Sequence, residues 1–157
     1  MAEMLEKTAD IIKDEELLRR YFFLSHYDKE QDEWSYNTFQ LRDLNPPEKY
    51  LSVIRVGIAP DAIVHAKKTF PHKKLKKLKG YTVLKTSAVR KINIERIKLQ
   101  VLADIESIDG HAGIYTWHDD RLVEGSVEEP EILELKKTLF NLAIPTYKAF
   151  SENSFED

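Results

Sequence analysis

The chain has 157 residues, 42% of them apolar and 32% charged, which bounds it to one globular domain with a heavily charged surface and excludes a disordered polymer. Its 24 Lys/Arg and 27 Asp/Glu leave a net charge of −3, and the absence of cysteine excludes disulfides, thiolate metal sites and a cysteine nucleophile. The opening MAEMLEKTADIIKDEE is acidic and amphipathic rather than signal-like, and no apolar run approaches the ~20 residues of a membrane span; a cytoplasmic protein without a membrane partner is expected.

In chain order, Leu5, Ala9 and Ile12 share one helical face and predict a short helix from Met1 to about Lys13. Asp14 can cap a second segment, DEELLRRYFFLSHY. Its periodicity leaves helix and strand both open, and the Tyr21-Phe22-Phe23 cluster leans towards strand. Asp28 to Glu33 reads as a polar loop, and the alternation from Trp34 to Leu41 predicts a strand. Asn45-Pro46-Pro47 interrupts the backbone, and Tyr50 to Val56 is strand-like.

Pro60 suits a first helical turn, with Ile63, Ala66 and Phe70 as the apolar stripe and Pro71 as the stop. A lysine run over 73–79 follows, and Gly80 marks the exit into a strand at Tyr81 to Leu84. Arg90 to Ile94 reads as a short strand. Ile97, Leu99, Val101, Ala103 and Ile105 give the cleanest half-buried alternation in the chain. Asp109-Gly110 signals a turn before a strand at Ala112 to Trp117. Pro130 opens a last helix with Ile132, Leu135, Leu139 and Leu142 facing the core, and Pro145 ends it. The order predicts a single α+β domain over 1–150, with a mostly antiparallel sheet of about five to six strands, and a frayed polar tail over 151–157.

Charge is segregated along the chain. Residues 67–98 hold 12 of the 24 Lys/Arg and one acid, Glu95, giving +11 there and −14 elsewhere. Within the lysine run, Leu75 and Leu78 would face inward from a helical turn and Lys73, Lys74, Lys76 and Lys77 would fan into solvent. With Lys79, Arg90 and Lys91 these form a candidate anion-binding set, because flexible ammonium groups suit phosphate or acidic surfaces. Phe70 and Tyr81 flank the run as candidate stacking faces for single-stranded nucleic acid. Solvated lysines on an exposed helix are the plainer alternative.

Histidines and acids supply the second constellation. His111 and His118 stand at opposite ends of one strand, about 23 Å apart at ~3.3 Å per residue, and cannot share a metal. They need partners from elsewhere, such as His26, Ser52 or Asp104. His118-Asp119-Asp120 alone reads mainly as a turn. Arg42 and Arg55 flank Ser52 in sequence, and with His26 and His111 could line an anion-binding pocket. Candidate catalytic residues are therefore His26, Ser52, His111, His118 and Asp119. Ser52 lacks the glycines of a nucleophile elbow, and five glycines without a phosphate loop argue against the standard dinucleotide and nucleoside-triphosphate folds.

The expected role is a non-enzymatic interaction domain whose basic segment binds an anionic macromolecule, either an acidic protein surface or nucleic acid. A small enzyme with a His/Asp/Ser-lined pocket is one alternative. A self-assembling subunit is another, with Glu128, Glu129, Glu131 and Glu134 of the last helix meeting the basic segment of a second copy. No cofactor and no metal site are expected.

Overall fold

The computed structural model describes residues 11–104, 106 and 109–156 and has an α+β architecture. The predicted helix over 1–13 and the alternation at Ile105 therefore fall mainly or wholly outside the described residues, and Ile11–Lys13 themselves carry no helical turn.

Among the described residues nine strands are formed: β1 Leu17–Phe23, β2 Tyr27–Asp28, β3 Glu33–Trp34, β4 Leu51–Arg55, β5 Leu78–Lys85, β6 Ile97–Ala103, β7 His111–His118, β8 Arg121–Leu122 and β9 Lys148–Ala149. The main sheet runs β6-β7-β4-β1-β5-β9, with β8 added on β7, and every pairing in it is antiparallel. β2 and β3 form a separate hairpin across the expected polar loop. The aromatic cluster thus settles as strand: side chains of β1 alternate between two apolar layers, which a β-branched or aromatic run accommodates well.

Four α-helices among the described residues pack on the sheet: α1 Ala62–Thr69, α2 His72–Leu75, α3 Thr86–Arg90 and α4 Pro130–Ala143. On one face, Leu18, Phe22, Leu51, Val53, Leu84 and Ile114 meet Ile132, Leu135 and Leu139 of α4 in the larger core. On the other face, Tyr21 and Ile54 meet Ala62 and Ala66 of α1 and Leu75 of α2 in a smaller one. Fully burying side chains of this size contributes roughly 1.5–3 kcal/mol each, so the α4 layer carries most of the fold's stability. The Asp61 side chain accepts from the Val64 N–H and caps α1, one residue after the expected Pro60 start.

Four sequence expectations need correction. Trp34 to Leu41 is not a strand. Only Trp34 pairs, and Tyr36–Phe39 form a 3-10 turn started by Ser35, whose hydroxyl accepts from the Asn37 N–H. A local side-chain bond of this kind competes with strand pairing. Arg90 to Ile94 is not a strand either, since Arg90 ends α3. Gly80 lies inside β5 rather than before it, because Tyr147 and Lys148 cross so closely that a Cβ there would sit 2.5 Å from the Lys148 carbonyl oxygen. Leu142 is exposed, and Ala143 takes the buried place at the end of α4. Residues 151–156 form turns in which Phe155 packs edge-on against Phe150 with ring centroids 5.0 Å apart.

Candidate functional site

The second face of the sheet is only partly covered. α1 and α2 lie over β1 and part of β4, and leave Ser52 of β4 and His111 of β7 partly exposed. Between these strands, the α1–α2 pair and the 25–48 segment lies a cleft of about 840 Å³. It brings together His26, Ser52, His111 and Arg42 with Lys73, Lys74 and Lys77. Two groups that the sequence offered separately, the anion-binding pocket and the lysine run, thus meet in one place.

The cleft is strongly cationic. Arg19, Arg20, Arg42, Lys73, Lys74 and Lys77 line it, against a single carboxylate, Glu48. Glu48 is itself engaged: Arg42 donates to it from Nη2 at 3.0 Å and from its backbone N–H at 2.6 Å. That pairing holds the Glu48 carboxyl below its ordinary range even though burial pushes the other way. Among the described residues no carboxylate pairs with Arg19, Lys73, Lys74 or Lys77. The Lys74 ammonium lies 5.1 Å from the ring centres of both Phe23 and Phe70, and burial lowers its pKa.

The two arginines of β1 stiffen the walls. Adjacent strand positions point to opposite faces. Arg19 therefore enters the smaller core, where it is only 2% exposed, and donates from Nη2 to the carbonyls of Ala59 and Pro60. Its Nε is buried without an acceptor. Arg20 goes the other way, donating from Nε and Nη2 to the Thr38 carbonyl and from Nη1 to the Ser52 carbonyl. Burial pulls its pKa down to about 10, which leaves it charged at neutral pH. Neither arginine was singled out from sequence. The signal was present in Leu-Leu-Arg-Arg-Tyr-Phe-Phe, where two adjacent cations in a two-faced apolar strand cannot both reach water.

His65 was also missed. It lies on the buried face of α1, with Nδ1 2.8 Å from the Tyr21 hydroxyl and Nε2 3.2 Å from the Thr69 hydroxyl. Desolvation, with Arg19 nearby, lowers its pKa. His26 is held as a structural acceptor. Its Nδ1 takes the Phe23 N–H at 3.1 Å and lies 2.9 Å from the Thr38 hydroxyl. Burial and the cationic cleft bring its pKa down to about 4, so it is neutral under ordinary conditions.

His111 is placed differently. Its Nε2 is 3.0 Å from Ser52 Oγ, and its Nδ1 is 3.4 Å from Asp104 Oδ2. The three side chains lie in a row across β4, β7 and the end of β6. Ile54 pairs with His111 and Ser52 with Gly113, while the Asp104 N–H bonds the His111 carbonyl.

Other candidates lie elsewhere. His118 is at the far end of β7, with Nε2 2.9 Å from Glu131 Oε1, and Asp119 faces Arg96 at 3.7 Å. Glu131 is thereby engaged within the chain, and the His118 contact lowers its pKa. Lys76 and Lys79 line a separate hollow beside the 147–156 segment, whose lining also includes Glu152 and Glu156. Arg90 donates to Asp14 at 2.7 Å and to the Ile12 carbonyl, and Lys91 is exposed just past α3. Arg55 holds Glu16 at 2.8 Å on the opposite side of β4 from Ser52. The basic segment is therefore divided, and only Lys73, Lys74 and Lys77 of its candidates reach the cleft.

Among the described residues no three His, Asp or Glu side chains gather as a metal site, and no helix is long and apolar enough to cross a membrane. Comparison of the chain with protein-family models, with curated proteins and with solved structures finds no match.

Proposed function

We propose that the protein binds a phosphate-bearing ligand in the cleft between the sheet and the α1–α2 pair. The observation that carries this reading is the imbalance of six cations against one carboxylate that is already paired. Such a site keeps a positive potential in a low-dielectric concavity and concentrates anions there. The cleft's volume of about 840 Å³ suits a nucleotide-sized group or the end of a chain better than a flat protein surface. Lys73, Lys74 and Lys77 supply the mobile charges that phosphate accepts, while Arg19 and Arg20 are tied to carbonyls and hold the field in place.

The test is fluorescence anisotropy with a labelled, 5′-phosphorylated oligonucleotide, and competition by inorganic pyrophosphate. Reversing Lys73 and Lys77 together to Glu weakens binding at least tenfold. Lys85→Glu, on an exposed side chain at the end of β5 outside the cleft, leaves it unchanged. Equal effects from the two changes would reject the cleft as the binding site.

A further inference from the structure

The row Ser52–His111–Asp104 has the connectivity of an activated nucleophile. In the neutral tautomer that donates Nδ1–H to Asp104, 3.4 Å away, Nε2 is the acceptor for the Ser52 hydroxyl at 3.0 Å. The Asp104 contact, at 3.4 Å, is long, as such contacts often are before a substrate tightens them. Ser52 and His111 stand on paired strands, and Asp104, the residue after β6, is tied to β7 by its N–H bond to the His111 carbonyl. The site is also reachable: the His111 side chain is 26% exposed and the Asp104 side chain 38%. Tyr50 leans over the imidazole at 5.7 Å between ring centres. Opposite Ser52 on β7 stands Gly113, which leaves room for the Tyr50 ring, since a Cβ there would come within 2.6 Å of it.

We propose that Ser52, with His111 as base and Asp104 as the group that orients it, hydrolyses carboxylic esters whose anionic group is held by the cations of the same cleft. The anchoring half of this assignment rests on the phosphate-binding reading above. Ser52 Oγ attacks the ester carbonyl carbon, and its proton passes to His111 Nε2. The tetrahedral oxyanion develops in the positive field of the cations that line the cleft. As the intermediate collapses, the carbon–oxygen bond to the alcohol breaks and His111 returns the proton to that oxygen. Water then attacks the acyl-serine, giving its proton to His111, and the carboxylic acid leaves as the Ser52 hydroxyl is restored. The sum is ester plus water to acid plus alcohol, with no oxidant or reductant.

One histidine favours a carbonyl over a phosphodiester as the electrophile. In-line displacement at phosphorus places the leaving oxygen opposite the nucleophile. A single imidazole bonded to that nucleophile cannot reach it. At a tetrahedral carbon the leaving oxygen and the nucleophile share one side, and one imidazole serves both.

The experiment compares 4-nitrophenyl hemisuccinate, which is anionic, with neutral 4-nitrophenyl acetate and with bis(4-nitrophenyl) phosphate. The wild-type protein hydrolyses the hemisuccinate in preference to the acetate. Ser52→Ala loses about a hundredfold or more of that rate and still binds the phosphorylated oligonucleotide. As a check that does not depend on a variant folding, a fluorophosphonate probe labels the wild-type chain at Ser52, located by peptide mass, with fluoride leaving. Hydrolysis unchanged in Ser52→Ala, no label on Ser52, or cleavage of the phosphodiester instead of the ester would each overturn the catalytic assignment. Oligonucleotide binding intact in a chain without esterase activity overturns catalysis alone. Esterase activity that depends on Ser52, without binding and without preference for the anionic ester, overturns the anchoring by the cleft and the binding reading together.

Discussion

Replacing Arg20 by Met tests whether a buried guanidinium ties the cleft's two walls together. Arg20 makes three hydrogen bonds to two carbonyls: 3.0 and 2.6 Å to Thr38, and 2.8 Å to Ser52. Thr38 belongs to the 3-10 turn and Ser52 to β4, so the side chain joins a loop to the sheet. Hydrogen bonds to a charged group contribute about 1.5–3 kcal/mol each, and removing the donor leaves two carbonyls facing an apolar thioether. Against this stands the desolvation of the guanidinium, seen in its depressed pKa of about 10. The expected net loss is about 2–4 kcal/mol, a large share of an ordinary domain's 5–15 kcal/mol. Urea unfolding followed by tryptophan fluorescence reads it, since Trp34 lies close to the turn. Arg20→Lys recovers less than half of the loss, because an ammonium cannot reproduce the fork between two carbonyls. A loss below about 0.5 kcal/mol for Met, or full rescue by Lys, would refute the reasoning.

Two further outcomes follow from the same geometry. His26 has a folded pKa of about 4 against an ordinary value of 6.5, so between those limits the unfolded chain binds more protons. Its contribution is complete above pH 6.5 and is lost as pH falls towards 4, by about 2 kcal/mol once solvent screening is allowed for. A His26→Gln variant shows a shallower fall in urea-midpoint stability over that window, and an unchanged slope would contradict this. Leu139, fully buried under the sheet, costs about 2–5 kcal/mol as Ala, whereas exposed Leu142→Ala costs under about 1 kcal/mol in the same unfolding assay; equal losses would contradict the assignment of α4's buried face.

The fold class was legible because period-two alternation in Ile97–Ala103 and the spacing of Ile132, Leu135 and Leu139 are direct consequences of burial on one face. The turn at Tyr36–Phe39 was not, because Ser35 starts it with a local bond that leaves the polar/apolar alternation intact. The site was half legible. His26, Ser52, His111, Arg42 and the lysines 73, 74 and 77 could be named, since each carries chemistry in its side chain. That they share one cleft depends on β4 pairing with β7 and on α2 folding back over β1, and both contacts are long-range. Lysines near in sequence were parted for the same reason. Once β5 begins at Leu78, alternation and the carboxyl-terminal segment decide where Lys79 faces.

The most direct test is the salt dependence of binding by the phosphorylated oligonucleotide, from about 50 to 200 mM. Three lysines meeting phosphate predict a log–log slope of about −2 to −3 for the wild-type chain, at 0.7–0.9 per contact. The slope shrinks by roughly two contacts when Lys73 and Lys77 become Gln. An affinity that stays flat with salt, or a slope unmoved by that double change, contradicts an anion-binding cleft.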